Sequence, residues 1–274
     1  MKIFLTGGSG FLGKNIYEFF SKYEFFLFKR GQDITKELEK FKPDIIIHSA
    51  GEIYKEDLML ESNIVLTYSI LEYCKNNKIN KLIYFGSSSE YGKTKLPMKE
   101  SDPCNAYSIY AATKSSSTLL CQAFSRTYNF NCYIIRPFSI YGKYEPKHRL
   151  IPTLFKKAFN QEEITLIEGN HDFFYIKDFL KIIDAVIKNN EKTNGEIINA
   201  GYGIQFSNQD ILKKIETITG KKINFKTENI FKREDSETWI CDITNAKSIY
   251  KYKCFPEYDL QKGLTEYYTN GEWK

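Results

Sequence analysis

Lys2-Ile3-Phe4-Leu5-Thr6-Gly7-Gly8-Ser9-Gly10-Phe11-Leu12-Gly13 is the stretch on which the fold turns. Ile3, Phe4 and Leu5 make the short apolar run of a buried strand, and residues 11–23 carry a helical spacing. Between them, Gly7, Gly10 and Gly13 keep a GxxGxxG pattern. Glycines at that spacing allow a tight turn, let backbone approach a pyrophosphate, and permit close helix–strand packing. The helix N-terminus then faces the negative charge. A glycine triplet alone also occurs in purely structural turns. Its place between an N-terminal strand and a helix favours dinucleotide binding, with Gly7, Ser9, Gly10, Phe11 and Leu12 as expected contacts.

Downstream the alternation continues. Glu24–Phe28 reads as a strand and Ile34–Phe41 as a helix closed by Pro43. Residues 44–48 read as a nearly all-apolar strand, as a strand covered on both faces should be. Residues 62–76 read as a helix, Lys81–Phe85 as a strand, 106–128 as a long helix and 131–136 as a fifth strand. This order predicts an α/β fold, a Rossmann-type doubly wound parallel sheet. The pattern becomes less regular after Tyr141. The expected division is a cofactor domain of residues 1–142 plus roughly 172–203, and a smaller substrate-binding lobe of 143–171 and 204–274.

Composition removes several function classes. With 42% hydrophobic and 27% charged residues, the 274-residue chain is neither disordered nor fibrous. The formal charge of +5 is spread among interspersed acids and bases, so no basic block points to nucleic acid. No run has signal-peptide or membrane-spanning character, and a cytoplasmic enzyme without membrane partners is expected. Six cysteines without a CxxC pair and three scattered histidines predict reduced thiols and no metal site.

The catalytic candidates lie on the predicted long helix. Tyr110 and Lys114 form a YxxxK pair on one helical face. A phenol ordinarily titrates near about 10, and a nearby ammonium lowers that value by stabilising the phenolate. Lys114 is also placed to hold the nicotinamide ribose. Upstream, Gly86-Ser87-Ser88-Ser89-Glu90-Tyr91-Gly92 follows the fourth strand, where a hydroxyl can bond the reacting oxygen beside Tyr110. Both loops sit at carboxyl ends of predicted strands, where ligands bind in such sheets. After the second strand, Lys29 and Arg30 stand where an NAD enzyme usually has an acid, which favours a 2′-phosphate and hence NADP(H) over NAD(H).

Together these segments resemble the extended short-chain dehydrogenase/reductases, the nucleotide-sugar epimerase/dehydratase family, over nearly the whole chain. The resemblance implies an adenine-contacting pair at Asp33-Ile34 and cofactor contacts from Ser49, Ala50, Gly51 and Pro137. It implies substrate contacts from Ser88, Ser89, Ser139, Arg149 and Arg233, with Asn63 structural. Ser139 replaces the family's usual Asn, His171 its Arg and Lys177 its Asp. The family's 4,6-dehydratases carry an acidic run in the serine loop, where this chain has Ser88 and Ser89, with Glu90 displaced toward Tyr91. The short second βαβ unit looks like that of the deoxysugar 4-ketoreductases.

The resulting expectation is NADPH-dependent reduction of a nucleotide-diphospho-4-keto-(6-deoxy) sugar in surface glycan precursor synthesis. Ser87, Tyr110 and Lys114 would be catalytic. A nucleotide-sugar 4-epimerase using NAD is the alternative, and a 4,6-dehydratase or a catalytically silent dinucleotide-binding protein ranks below it. The resemblance also implies a homodimer joined through the helices of residues 62–76 and 106–128.

Overall fold

Six parallel strands in the order β10-β5-β4-β3-β1-β2 form the central sheet of the protein, seen in a computed structural model. It describes residues 1–77, 79–228, 238–250 and 255–273. The strands are β1 (Lys2–Thr6), β2 (Glu24–Phe28), β3 (Ile45–His48), β4 (Lys81–Phe85), β5 (Cys132–Pro137) and β10 (Glu196–Ala200). The crossovers are α1 (Phe11–Phe19), α2 (Ile34–Phe41), a composite helix, α5 (Ile109–Tyr128) and α7 (Ile176–Lys188). The composite helix runs from α3 (Glu56–Met59) through a π segment (Leu60–Val65) into α4 (Leu66–Asn76). This is the doubly wound Rossmann-type sheet that the alternation predicted.

Strand pleating divides the core in two. Ile3, Leu5, Ile45, Ile47, Ile83 and Phe85 point to one face. Phe4, Ile46, Leu82, Tyr84 and Ile134 point to the other, against Leu38 of α2, Ile70 of α4 and Cys121 of α5. Because both faces are covered, β3 and β4 are buried along their whole length.

The second half of the chain adds three two-stranded pairs. They join β6 (Ser139–Tyr141) with β9 (Phe173–Tyr175), β7 (Ile164–Ile167) with β12 (Phe225–Glu228), and β8 (Asn170–His171) with β11 (Phe206–Ser207). Helices α6 (Leu150–Asn160), α8 (Asn208–Thr219), α9 (Thr244–Tyr250) and α10 (Leu260–Thr269) complete it. Among the described residues, no helix is long and apolar enough to cross a membrane.

Three helix boundaries differ from the sequence expectation. Helix α1 ends at Phe19, because the chain must turn through Phe20 and Tyr23 to start β2 opposite Lys2. The helix expected over 62–76 starts earlier and carries the π segment, which turns Asn63 inward onto Glu52 and Thr113. Helix α5 begins at Ile109, since the Ser108 hydroxyl accepts from the Ala111 N–H and caps it there.

Candidate active site

A cleft of about 770 Å³ opens at the carboxyl ends of β1, β3, β4 and β5. On the sheet side it is floored by the loops that follow these strands. Across it stand the start of α6, the end of β7, His171, Asn208 and Trp239.

The glycine loop fits a dinucleotide. Gly7 has φ +72°, and a Cβ there would lie 2.7 Å from the Ala50 nitrogen. A Cβ on Gly13 would lie 2.1 Å from the Gly7 oxygen, so helix and strand approach as closely as only glycine permits. Gly10 is the N-cap of α1, no side chain caps that end, and no acid occupies its first turn. The first N–H groups of α1 therefore meet no competing side-chain acceptor, which suits a pyrophosphate. Gly7, Gly10, Phe11 and Leu12 line the cleft. Ser9 is exposed outside its wall.

Beneath the loop runs a buried polar chain that the sequence did not reveal. Thr6 Oγ1 and His48 Nδ1 are 2.7 Å apart, His48 Nε2 and Thr67 Oγ1 2.9 Å, and the Thr67 hydroxyl donates to the Asn63 carbonyl at 2.6 Å. Burial, reinforced by the Lys114 charge, pushes His48 down to about 3, so the ring is a neutral tie between strands. Ser49 donates to the Thr6 carbonyl and the Ala50 N–H to Thr6 Oγ1, fixing the loop after β3. Asn63 Oδ1 accepts from the Glu52 N–H at 2.7 Å. Ser49 and Gly51 line the cleft; Ala50 does not.

Ser87, Ser88, Ser89, Tyr110 and Lys114 all meet on this cleft. Ser87 caps a single 3₁₀ turn, Ser88–Tyr91, and its hydroxyl donates to Ser89 Oγ at 3.0 Å. Ser88 accepts from the Trp239 indole N–H at 3.0 Å. Trp239 is a wall residue that the sequence reading missed, since no local pattern ties it to a loop 151 positions away. Glu90 turns inward, where it pairs with Arg136 and stays off the cleft wall. Lys114 is 4% exposed, donates to the Phe85 carbonyl and lies 4.6 Å above the Tyr84 ring. Burial pushes its ammonium down to about 8, against the opposing pull of Glu90.

On the far wall, Arg149 donates to the Ile140 carbonyl at 2.9 Å and pairs with Glu145 at 3.3 Å. Its guanidinium lies 6.0 Å from the Phe11 ring. Burial pushes Glu145 up to about 7, which Arg149 only partly offsets. Pro137 and Ser139 also line the cleft, and the Ser139 N–H donates to the Asp172 carbonyl.

Besides Ser9 and Ala50, four more expected cofactor residues lie outside the cleft wall: Lys29, Arg30, Asp33 and Ile34. Arg30 pairs with Glu52 at 3.2 Å, and that carboxylate also accepts from the N–H groups of Ile53, Tyr54 and Lys55. Asp33 caps α2 by accepting from the Lys36 N–H. Arg233 falls outside the described residues.

Comparison with known proteins fits this geometry. The profile of the NAD dependent epimerase/dehydratase family matches residues 3–201. The chain is 29% identical to the uncharacterized UDP-glucose epimerase YtcB of Bacillus subtilis over 74% of its own length, and spans 64% of that protein, just under two thirds. It is 30% identical to GDP-L-colitose synthase of Yersinia pseudotuberculosis, covering 82% of this chain and 84% of that one. The fold superposes on UDP-glucuronic acid 4-epimerase from Bacillus cereus, crystallised with UDP-glucuronic acid and NAD. There the TM-score is 0.87 at 25% identity, covering 98% of each chain. The chain therefore belongs to the NAD-dependent epimerase/dehydratase family, within the extended short-chain dehydrogenase/reductases.

Proposed function

We propose that this protein is a nucleotide-sugar 4-epimerase that uses NAD. The observation that carries the reading is the meeting of Ser87, Tyr110 and Lys114 on the cleft into which the glycine loop opens, while the one carboxylate of the serine loop turns away from it. An elimination of water across C5 and C6 needs an acid in that loop. Interconversion at C4 needs a phenol, an ammonium and a hydroxyl, which are the groups at hand. Arg30 supports NAD over NADP, because its charge is already engaged by Glu52. Likeness to the Bacillus cereus UDP-glucuronic acid 4-epimerase over nearly the full chain supports the same choice.

With its pyrophosphate held by the glycine loop, a nicotinamide dinucleotide would supply a reversible hydride acceptor for C4. Tyr110 takes the C4 hydroxyl proton and later gives it back, acting as base and then acid. Lys114, buried and positive, favours the phenolate through the first half of that cycle. Ser87 donates to Ser89 Oγ at 3.0 Å, and by turning that one hydrogen toward the substrate it would hold the C4 oxygen in reach. Arg149 lies near the Phe11 end of α1, where a substrate or cofactor phosphate meets the helix N-terminus.

Reduction of a 4-keto nucleotide sugar is the second reading. Lys29 at the end of β2 favours it, as does the likeness to GDP-L-colitose synthase. Stoichiometry separates the two. Incubation of the enzyme and NAD with plain nucleotide hexoses should give the 4-epimer with no net cofactor oxidised or reduced. Consumption of one NADPH per product from a 4-keto sugar, with plain nucleotide sugars inert, would transfer the assignment to the reductase. We further propose a homodimer, formed through the outer faces of α4 and α5. Leu60 and Val65 of the adjoining π segment, Tyr68 of α4 and Leu119 of α5 are 61%, 40%, 46% and 58% exposed, more apolar surface than an isolated helix pair should leave to water.

A further inference from the structure

Glu90 is fully buried behind the serine loop, and no step of the proposed reaction uses it. Its Oε1 accepts from the Ser87 N–H at 2.7 Å, and its Oε2 accepts from Nε and a terminal nitrogen of Arg136, each at 2.9 Å. The guanidinium of Arg136 is itself buried, lies 4.3 Å over the Tyr91 ring and donates to Cys104 Sγ at 3.2 Å. The backbone carbonyl of Glu90 accepts from the Asn105 N–H at 2.8 Å, in the segment that leads into the Ser108 cap and Tyr110. One residue thus ties β5, the serine loop and the entry to α5 together.

A buried ion pair is a poor device for stability alone, because desolvation of two charges consumes most of the attraction between them, and apolar replacements often serve as well. Its value here lies in what the carboxylate holds. The Ser87 nitrogen hangs from it directly, so the hydroxyl one bond further on inherits its position. The carboxylate also acts at a distance on Lys114. The titratable groups acting on that ammonium are neutral His48 from β3, Tyr84 from β4, Cys121 from α5 and Glu90 from the serine loop, the last paired with Arg136 of β5, and Tyr110 stands one helical turn away. Glu90 is the carboxylate in this set, and it opposes the push of burial toward the neutral amine.

We propose that Glu90 is a positioning residue of this active site: its carboxylate fixes the Ser87 backbone relative to Tyr110 and holds a negative charge behind Lys114. The proposal rests on the reading of Ser87, Tyr110 and Lys114 as the reacting set. Glu90→Gln keeps the size and one hydrogen-bond acceptor and removes the charge. Two measurements on this variant and the wild type decide the matter. The first follows the ¹³Cε shift of Lys114 against pH in lysine-labelled protein without substrate, assigned by loss of the signal in Lys114→Arg. The midpoint should move to lower pH in Glu90→Gln. The second compares kcat and KM for the epimerised sugar. We expect kcat to fall about ten- to a hundredfold, the scale of a displacement of about 1 Å at a reacting group. KM should change little, and the basic limb of the kcat profile should shift to lower pH with Lys114.

A folded Glu90→Gln with an unmoved lysine midpoint, or with wild-type kcat and pH profile, overturns the proposal. If an unpaired Arg136 prevents folding, Glu90→Gln combined with Arg136→Met removes both charges. A lowered midpoint and kcat in that pair supports the role, and recovery of both wild-type values refutes it. A wild type inert toward every nucleotide sugar would instead count against the proposed function, and the substrate-free lysine titration would still decide the role of Glu90.

Discussion

Lys114 and Tyr110 stand one helical turn apart, and the chemistry proposed here divides between them. Tyr110→Phe keeps the ring and removes the transferable proton. Turnover should fall by about a hundred- to ten-thousandfold while NAD binding, read by calorimetry, stays near normal. Undiminished turnover in this variant would remove both the epimerase and the reductase readings. Lys114→Ala should impair both rate and cofactor affinity, because the same ammonium supports the phenolate and faces the expected ribose. At the far wall, Glu145 gives a prediction about pH. Its carboxyl is raised to about 7 in the fold, so between about pH 4 and pH 7 the folded protein holds a proton that the unfolded chain has lost. Rising pH across that window therefore costs stability. Glu145→Gln, a permanent stand-in for the neutral acid, should raise Tm at pH 8 and leave it nearly unchanged at pH 4. A wild-type-like Tm at pH 8 would contradict the burial of an ionisable acid at that wall.

At the level of single elements, α7 shows how a helix end is satisfied from another strand. Lys81 opens β4, is 4% exposed, and its ammonium donates to the carbonyls of Val186, Ile187 and Asn189. Those are the acceptors a helix leaves without partners at its C-terminus, where a cation is also favoured by the dipole. Lys81→Met keeps the aliphatic stem and removes all three donors. The expected loss is on the order of 2–3 kcal/mol, seen as a Tm several degrees lower by calorimetry, with cofactor affinity unchanged. A loss below about 0.5 kcal/mol would mean that solvent replaces the ammonium at that helix end. In the composite helix, the π segment serves position rather than stability. It turns Asn63 inward, where one amide bonds Glu52 and Thr113 and so links the loop after β3 to the first turns of α5.

For the whole molecule, the open question is what covers α4 and α5. Tyr68 of α4 meets Phe124 of α5 edge-on, and Phe124 meets Tyr128, so an aromatic surface runs from one helix to the other. Two such faces packed together form a four-helix interface. Sedimentation at micromolar concentration should show a dimer, and Leu119→Glu should shift it to monomer without loss of the far-ultraviolet helical signal. A monomeric wild type at that concentration would count against the dimer.

The sequence by itself determined the parallel sheet, the glycine loop and the YxxxK pair. Each is written in local sequence: continuous apolar runs for strands buried on both faces, glycines where backbones touch, and a four-residue step on one helix. The chain's cysteine and histidine spacing and its interspersed charges carry no metal-site pattern and no basic block. Tertiary structure decided the remainder, because it depended on which distant segments meet. Arg30 reads as a phosphate-binding cation, and the fold alone shows that Glu52, 22 residues on, stands beside it. Glu90 reads as a loop acid of uncertain direction until Arg136 of β5 draws it inward. His48 is held neutral by burial and by the Lys114 charge, with Thr6 and Thr67 on its two ring nitrogens, and Trp239 reaches Ser88 across 151 residues. Charge state and side-chain direction follow from burial and partners, and neither is encoded within a few residues of the group that shows it.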